Sequence, residues 1–255
     1  MIFILAYYAI LVLGGQPYDR YVLPLVPFVL FFAADFLADT AKKIKISTAV
    51  LILAAISLAL PTLIQSVLFD RLMLAQDTRT LAKEWIEKNI PTGSQLALDL
   101  EFYMPRLNFS RSQLEQKKEE VLKGNHFSKT QMRKLDFLLS QTPGASYALY
   151  FLVDEKEARE RQFLFSSPTL PFSYETLKSQ GVQYAVVVRL REKDIHQKFY
   201  DDLASQAKLI AEFNPYRKAS RQWPYTHPLT GGPSFFKDLW ERERNGQPIK
   251  IYKLQ

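Results

Sequence analysis

The chain contains no cysteine, which excludes a disulfide scaffold. Its 9 glycines in 255 residues are too few for a collagen-like repeat, and no low-complexity segment or internal repeat suggests a disordered chain. There are only 3 histidines, His126, His196 and His227, which stand far apart without ligand partners at helical spacing, so no metal site is expected. No GxxxxGK[ST] and no GxGxxG after a strand is present, and no GxSxG elbow supplies a nucleophile. No cofactor is therefore expected. The last shortage is local: residues 1–68 carry only seven charges (Asp19, Arg20, Asp35, Asp39, Lys42, Lys43, Lys45). Of 33 basic and 26 acidic residues, 29 and 23 are left for positions 69–255, and the whole chain carries a net charge of +7. One part suits lipid, and the other suits water.

Three stretches carry the membrane signal, near 1–14, 21–38 and 46–68. The third is charge-free and long enough to span a bilayer. The second, YVLPLVPFVLFFAADFLA, holds only Asp35 and is entered through Pro24 and Pro27, where first-turn amides have no helical partner in any case. The first reaches Gly14-Gly15 early and has neither a basic leader nor a small-residue cleavage site, which points to a helix that begins outside this sequence rather than to a signal peptide. Lys42, Lys43 and Lys45 outnumber Arg20 among the loops. The positive-inside tendency then places the Lys loop in the cytoplasm and Gly14–Arg20 outside, together with everything after Phe69. Asp35 has two readings: an acid lining a cavity, or one near enough to the headgroups to be hydrated.

From residue 70 onward the pattern is that of an α/β layered domain. A helix opens at Asp77 or Thr78 with Leu81, Ala82, Trp85 and Ile86 on one face, and Asn89–Gly93 stops it. Strands are expected at 95–99, 147–153, 183–190, 207–213 and 248–254. Ser112 with Glu115 and Ser128 with Gln131 have capping-box spacing, predicting helices over 113–123 and 129–141. A short helix at 174–180 closes on Gly181, and another carries Ile195, Phe199 and Leu203. Strands alternating with helices imply a mostly parallel sheet with an antiparallel edge.

Two segments invite a functional reading. Residues 216–245 interleave Tyr216, Trp223, Tyr225 and Trp240 with Arg217, Arg221, Arg242 and Arg244, a mixture suited to headgroups or to plain packing on the domain. The outer location argues against nucleic acid. The loop QPYDRY puts Tyr18, Asp19, Arg20 and Tyr21 where a helix meets the outer interface, and Arg20 there can grip a phosphate bidentately or serve as an interface anchor.

The run YDRYVLPLVPFVLFFAADFLAD resembles the RYLLPxxP segment in the late helices of polyprenyl-phosphate-sugar-dependent membrane glycosyltransferases, the GT-C type enzymes related to protein O-mannosyltransferases and lipid A aminoarabinose transferases. DTRTLAKEWIEKNIPTGSQLALD is similar to the opening of the extracytoplasmic C-terminal domain in bacterial members, and GQPIKIYKL to their terminal strand. The resemblance implies an integral protein of the cell (inner) membrane with about three transmembrane helices, the last of a larger bundle, over 1–69, and an extracytoplasmic α/β domain over 70–255. It implies transfer of a sugar from a polyprenyl-phosphate donor to a protein, lipid or glycan acceptor, with Arg20 on the donor phosphate and Tyr18, Asp19 and Tyr21 beside it. Those enzymes carry a catalytic acid in the first outer loop. This chain has no counterpart for it, so as the C-terminal portion of such an enzyme it is expected to be inactive alone. A stand-alone membrane-anchored binding domain and one subunit of a split enzyme are the alternatives.

Overall fold

A computed structural model describes residues 6–9, 25–44, 47–99, 104–123, 129–141, 144–153, 168–188, 196–217 and 233–254. The chain divides into two compact units, 1–64 and 65–255.

In the first unit, residues 6–9 are helical and α1 covers Val26–Lys43. Pro27 in its first turn removes no helical bond, and Lys42 and Lys43 in its last turn face the negative end of the helix dipole. The eighteen residues of α1 include Asp35, Asp39, Lys42 and Lys43, so its described part is not of spanning composition. Asp35 is exposed on it. Helix α2, Thr48–Leu74, is long and apolar enough to cross a membrane, and its apolar window buries nothing within the protein. Of about three expected spans, it is the one found among the described residues. Residues 21–24 of the second stretch and most of the first stretch lie outside the described residues, and α1 from Val26 to Lys43 reaches past the second stretch into Asp39, Lys42 and Lys43. Pro61 sits inside α2 and deprives the Ser57 carbonyl of its helical donor, a loss that spanning helices tolerate.

The second unit is a three-layer α/β/α domain. Its elements are α3 (Thr78–Asn89), β1 (Gln95–Leu98), β2 (Asn108–Phe109), α4 (Arg111–Lys123), α5 (Lys129–Ser140), β3 (Ser146–Leu152), β4 (Thr169–Leu170), α6 (Tyr174–Ser179), β5 (Tyr184–Val187), α7 (Gln197–Gln206), β6 (Lys208–Phe213), α8 (Pro233–Glu241) and β7 (Ile249–Lys253). The sheet runs β2-β3-β1-β5-β7-β6, with β4 also on β3. Strands β1 to β5 pair in parallel, β7 pairs antiparallel with β5, and β6 pairs antiparallel with β7 and so runs in the direction of β5, which makes the sheet mixed.

Alternation along each strand splits the core in two. Leu96, Leu98, Tyr147, Leu149, Val186 and Ile251 pack under Ala82 and Ile86 of α3 on one face. Ala97, Ala185, Val187 and Tyr252 meet Leu177 of α6 and Phe199 and Leu203 of α7 on the other. The chain leaves β1 toward β3, then crosses back over β1 to β5, so the ends of β1 and β5 form the topological switch point.

The expected elements are present, with one shifted start and three elements that the pattern did not show. Helix α4 starts at Arg111, because Ser110 rather than Ser112 caps it: the Gln113 amide donates to the Ser110 hydroxyl (3.4 Å) and the Leu114 amide to the Ser110 carbonyl (3.1 Å). Glu115 instead pairs with Arg111 (2.9 Å). The two-residue strands β2 and β4 and helix α8 were not visible in the pattern. Ser128, Leu190 and Ile195 lie outside the described residues.

The last turns of α2 belong to this second unit. Leu68 and Leu72 pack on Leu239 of α8. Arg71 donates to the Arg242 carbonyl (2.7 Å), and Asn245 donates to the Leu72 carbonyl (3.2 Å). Gly246, at φ 99°, lets the turn before β7 lie on the start of α3; a Cβ there would collide with the Thr78 hydroxyl.

Candidate functional site

The residues singled out for a donor phosphate, Tyr18, Asp19, Arg20 and Tyr21, lie outside the described residues. The aromatic and basic segment at 216–245 divides. Tyr216 is buried, and its hydroxyl donates to Asp238 (2.6 Å); Arg242, 2% exposed, donates to the other carboxylate oxygen of Asp238 (2.8 Å) and lies over the Tyr216 ring. Burial and the Asp238 hydrogen bond push the Tyr216 hydroxyl far above its ordinary pKa, so it stays protonated. This group is a packed structural knot, whereas Trp240 is exposed. Trp223, Tyr225 and Arg221 lie outside the described residues.

His196 stacks on Phe172 at 3.8 Å, a packing role, and His126 and His227 are outside the described residues. Glu119, Glu120, Asp201 and Asp202 sit on solvated helix faces; Glu119 and Glu120 pair with Lys123 and Lys117. Among the described residues no group of three acids or histidines could hold a metal.

Two features emerge that spacing did not reveal. At the switch point Asp99, the residue after β1, is 2% exposed and accepts hydrogen bonds from the Val188 amide (3.1 Å) and the Tyr200 hydroxyl (2.8 Å). A carboxylate here ties β1 to β5 and to α7.

The larger feature is a cavity of about 900 Å³ over the carboxyl end of β1, roofed by the start of α3 and by α4 and α5. Its rim carries Arg79, Lys83, Arg106, Arg111 and Lys134, against one acid, Asp77. Its floor is Leu98, Leu107, Phe109, Leu114, Leu138 and Phe151. Each element contributes for a local reason. Asp77 caps α3 by accepting from the Arg79 amide (2.8 Å) and grips the Arg79 guanidinium (2.8 Å). Burial raises the Asp77 pKa, but the side-chain and amide hydrogen bonds from Arg79 and its charge outweigh that, holding the carboxyl below its ordinary value. Arg111 opens α4, and Lys134 lies on α5, which the Lys118–Asp136 ion pair (2.7 Å) fastens to α4.

Strand β3 forms the back wall through an unusual edge. Ser146 and Tyr147 pair with β2, and Phe151 and Leu152 pair with β4. Between them the Gln113 side chain takes the place of a strand, donating to the Leu149 carbonyl (3.1 Å) and accepting from its amide (2.9 Å).

No signal in the sequence marks the cavity, because its five cations come from four separated segments. Compared with known protein families, curated proteins and solved structures, the chain matches none.

Proposed function

We propose that the chain is the C-terminal portion of a polyprenyl-phosphate-sugar-dependent membrane glycosyltransferase. In this reading the stretches near 1–14 and 21–38 span the membrane beside α2, and the α/β domain lies on the outer face. The reaction breaks the bond between the anomeric carbon and the donor phosphate oxygen. The acceptor's nucleophile takes that carbon and loses its proton to a base, and polyprenyl phosphate leaves. Arg20 would hold the phosphate through its planar fork, with Tyr18, Asp19 and Tyr21 at the same interface. The base belongs to a first outer loop that has no counterpart here, so this chain alone is expected to transfer no sugar.

The observation that carries the reading is the order of parts: QPYDRYVLPLVP leads into the first turn of α1, and an apolar helix, α2, then runs directly into an α/β domain. The test is photolabelling of the protein in vesicles with a short polyprenyl phosphate bearing a diazirine. Label is expected on the peptide holding residues 14–21, at least tenfold reduced by Arg20→Ala. Undiminished labelling of that variant removes Arg20 from the site, and no labelling of that peptide overturns the reading.

A membrane-anchored binding domain without chemistry is favoured by a different observation, the cavity of the α/β domain. Donor labelling absent while the cavity still binds ligand would select it.

A further inference from the structure

The cavity joins two opposite materials. Its floor exposes apolar surface: Phe109, Leu114, Leu138 and Phe151 are only half-buried, and the rings of Phe109 and Phe151 tilt together at 6.3 Å. Its rim is cationic, with five basic side chains to one acid. These cations differ in how far they are already committed. Arg79 is taken by Asp77. Lys83 reaches Glu87 at 3.8 Å and Arg111 reaches Glu115 at 2.9 Å, both pairs exposed enough for water to compete. Arg106 is exposed and forms no ion pair among the described residues. The amides at the start of α3 add little, because the Asp77 side chain already accepts from one of them.

We propose that this cavity binds an anionic amphiphile: a phosphate or carboxylate head at Arg106 and Arg111, with an apolar body laid on Phe109, Leu114, Leu138 and Phe151. Size excludes a bare anion as the full occupant. About 900 Å³ is the volume of a pocket for an organic molecule of drug size, and inorganic phosphate would leave the floor wet. Charge points to an acidic head, since the rim sets five basic side chains against one acid. Covering the floor supplies the affinity, and two guanidinium forks facing one head supply the orientation. The site is independent of the donor contact at Arg20.

The test is calorimetric titration of the full chain, in discs of zwitterionic phosphatidylcholine, with octyl phosphate, after subtracting the heats of empty discs. One saturable site is expected, weakening as ionic strength rises. Arg106→Ala with Arg111→Ala should weaken it at least tenfold; both side chains are exposed, so circular dichroism should be unchanged. Octyl glucoside, with the same tail and no charge, and inorganic phosphate, with the charge and no tail, should each bind at least tenfold more weakly. Equal binding by either probe, or an unchanged affinity in the double variant, overturns the proposal. Arg20→Ala should leave octyl phosphate binding intact, which separates this site from the donor reading. Displacement of octyl phosphate by phosphatidylglycerol in the discs assigns the head to a membrane lipid, and no displacement assigns it to a soluble ligand.

Discussion

Asp238 holds two side chains with one carboxylate, accepting from Tyr216 on one oxygen and from Arg242 on the other. Arg242 is almost completely buried, and its worth depends on that partner. A buried guanidinium stripped of its anion carries its full desolvation cost, so Asp238→Asn is expected to destabilise the domain by about 3–5 kcal/mol. Thermal melts of the full chain would show it, and a loss below about 1 kcal/mol would mean that solvent reaches Arg242. Tyr216→Phe keeps the ion pair and removes one hydrogen bond, so its cost should be only about 1 kcal/mol. The knot matters beyond its own bonds. The backbone of Arg242 accepts from Arg71 on the last turn of α2, so a single cluster fastens α8 and the end of that helix.

At the scale of elements, α4 shows how a helix can stand in for a strand. Ser110 and Gln113 have the spacing of a capping box, but Gln113 does not reach back to the Ser110 amide, which donates to Tyr147 instead (2.7 Å). The Gln113 side-chain amide goes to Leu149, in the gap that β2 and β4 leave along β3. Gln113→Ala strands a buried donor and a buried acceptor and should cost about 2 kcal/mol or more. Hydrogen exchange at the Leu149 amide should accelerate in that variant while exchange at Ala97, in the centre of β1, changes less. Equal acceleration at both would mean that the sheet opens as a whole. The expected cap at Ser112 failed for a related reason: three residues of α4's first turn have side chains able to cap or pair, and the geometry of β3 decides which of them serves. The strands β2 and β4 are too short to show a period, and each exists only because β3 offers it an edge.

For the whole molecule, the absence of cysteine becomes an experimental convenience. Leu209 on β6 is exposed, and so is Lys43 at the end of α1. The proposed outer location of the α/β domain predicts that Leu209→Cys reacts with a membrane-impermeant maleimide in intact cells, and Lys43→Cys only after lysis. The reverse pattern would invert the topology and remove the outer-face reading of the domain.

What the sequence determined by itself is what depends on neighbours along the chain: the charge-free run that becomes α2, the start of α3 at Asp77 or Thr78, the short apolar runs that make β1, β3 and β5 strands, and Gly181 (φ 73°) ending the turn after α6. These rest on period and backbone preference, which a few residues express. Only the tertiary structure decided the rest. It buried Tyr216 and Arg242, which the sequence left between headgroup contact and packing on the domain, set Asp99 at the switch point, and collected Arg79, Lys83, Arg106, Arg111 and Lys134 around one cavity. The physical reason is that a cavity is defined by the surfaces elements leave uncovered when they pack, and residues far apart in sequence meet there without any spacing that records it.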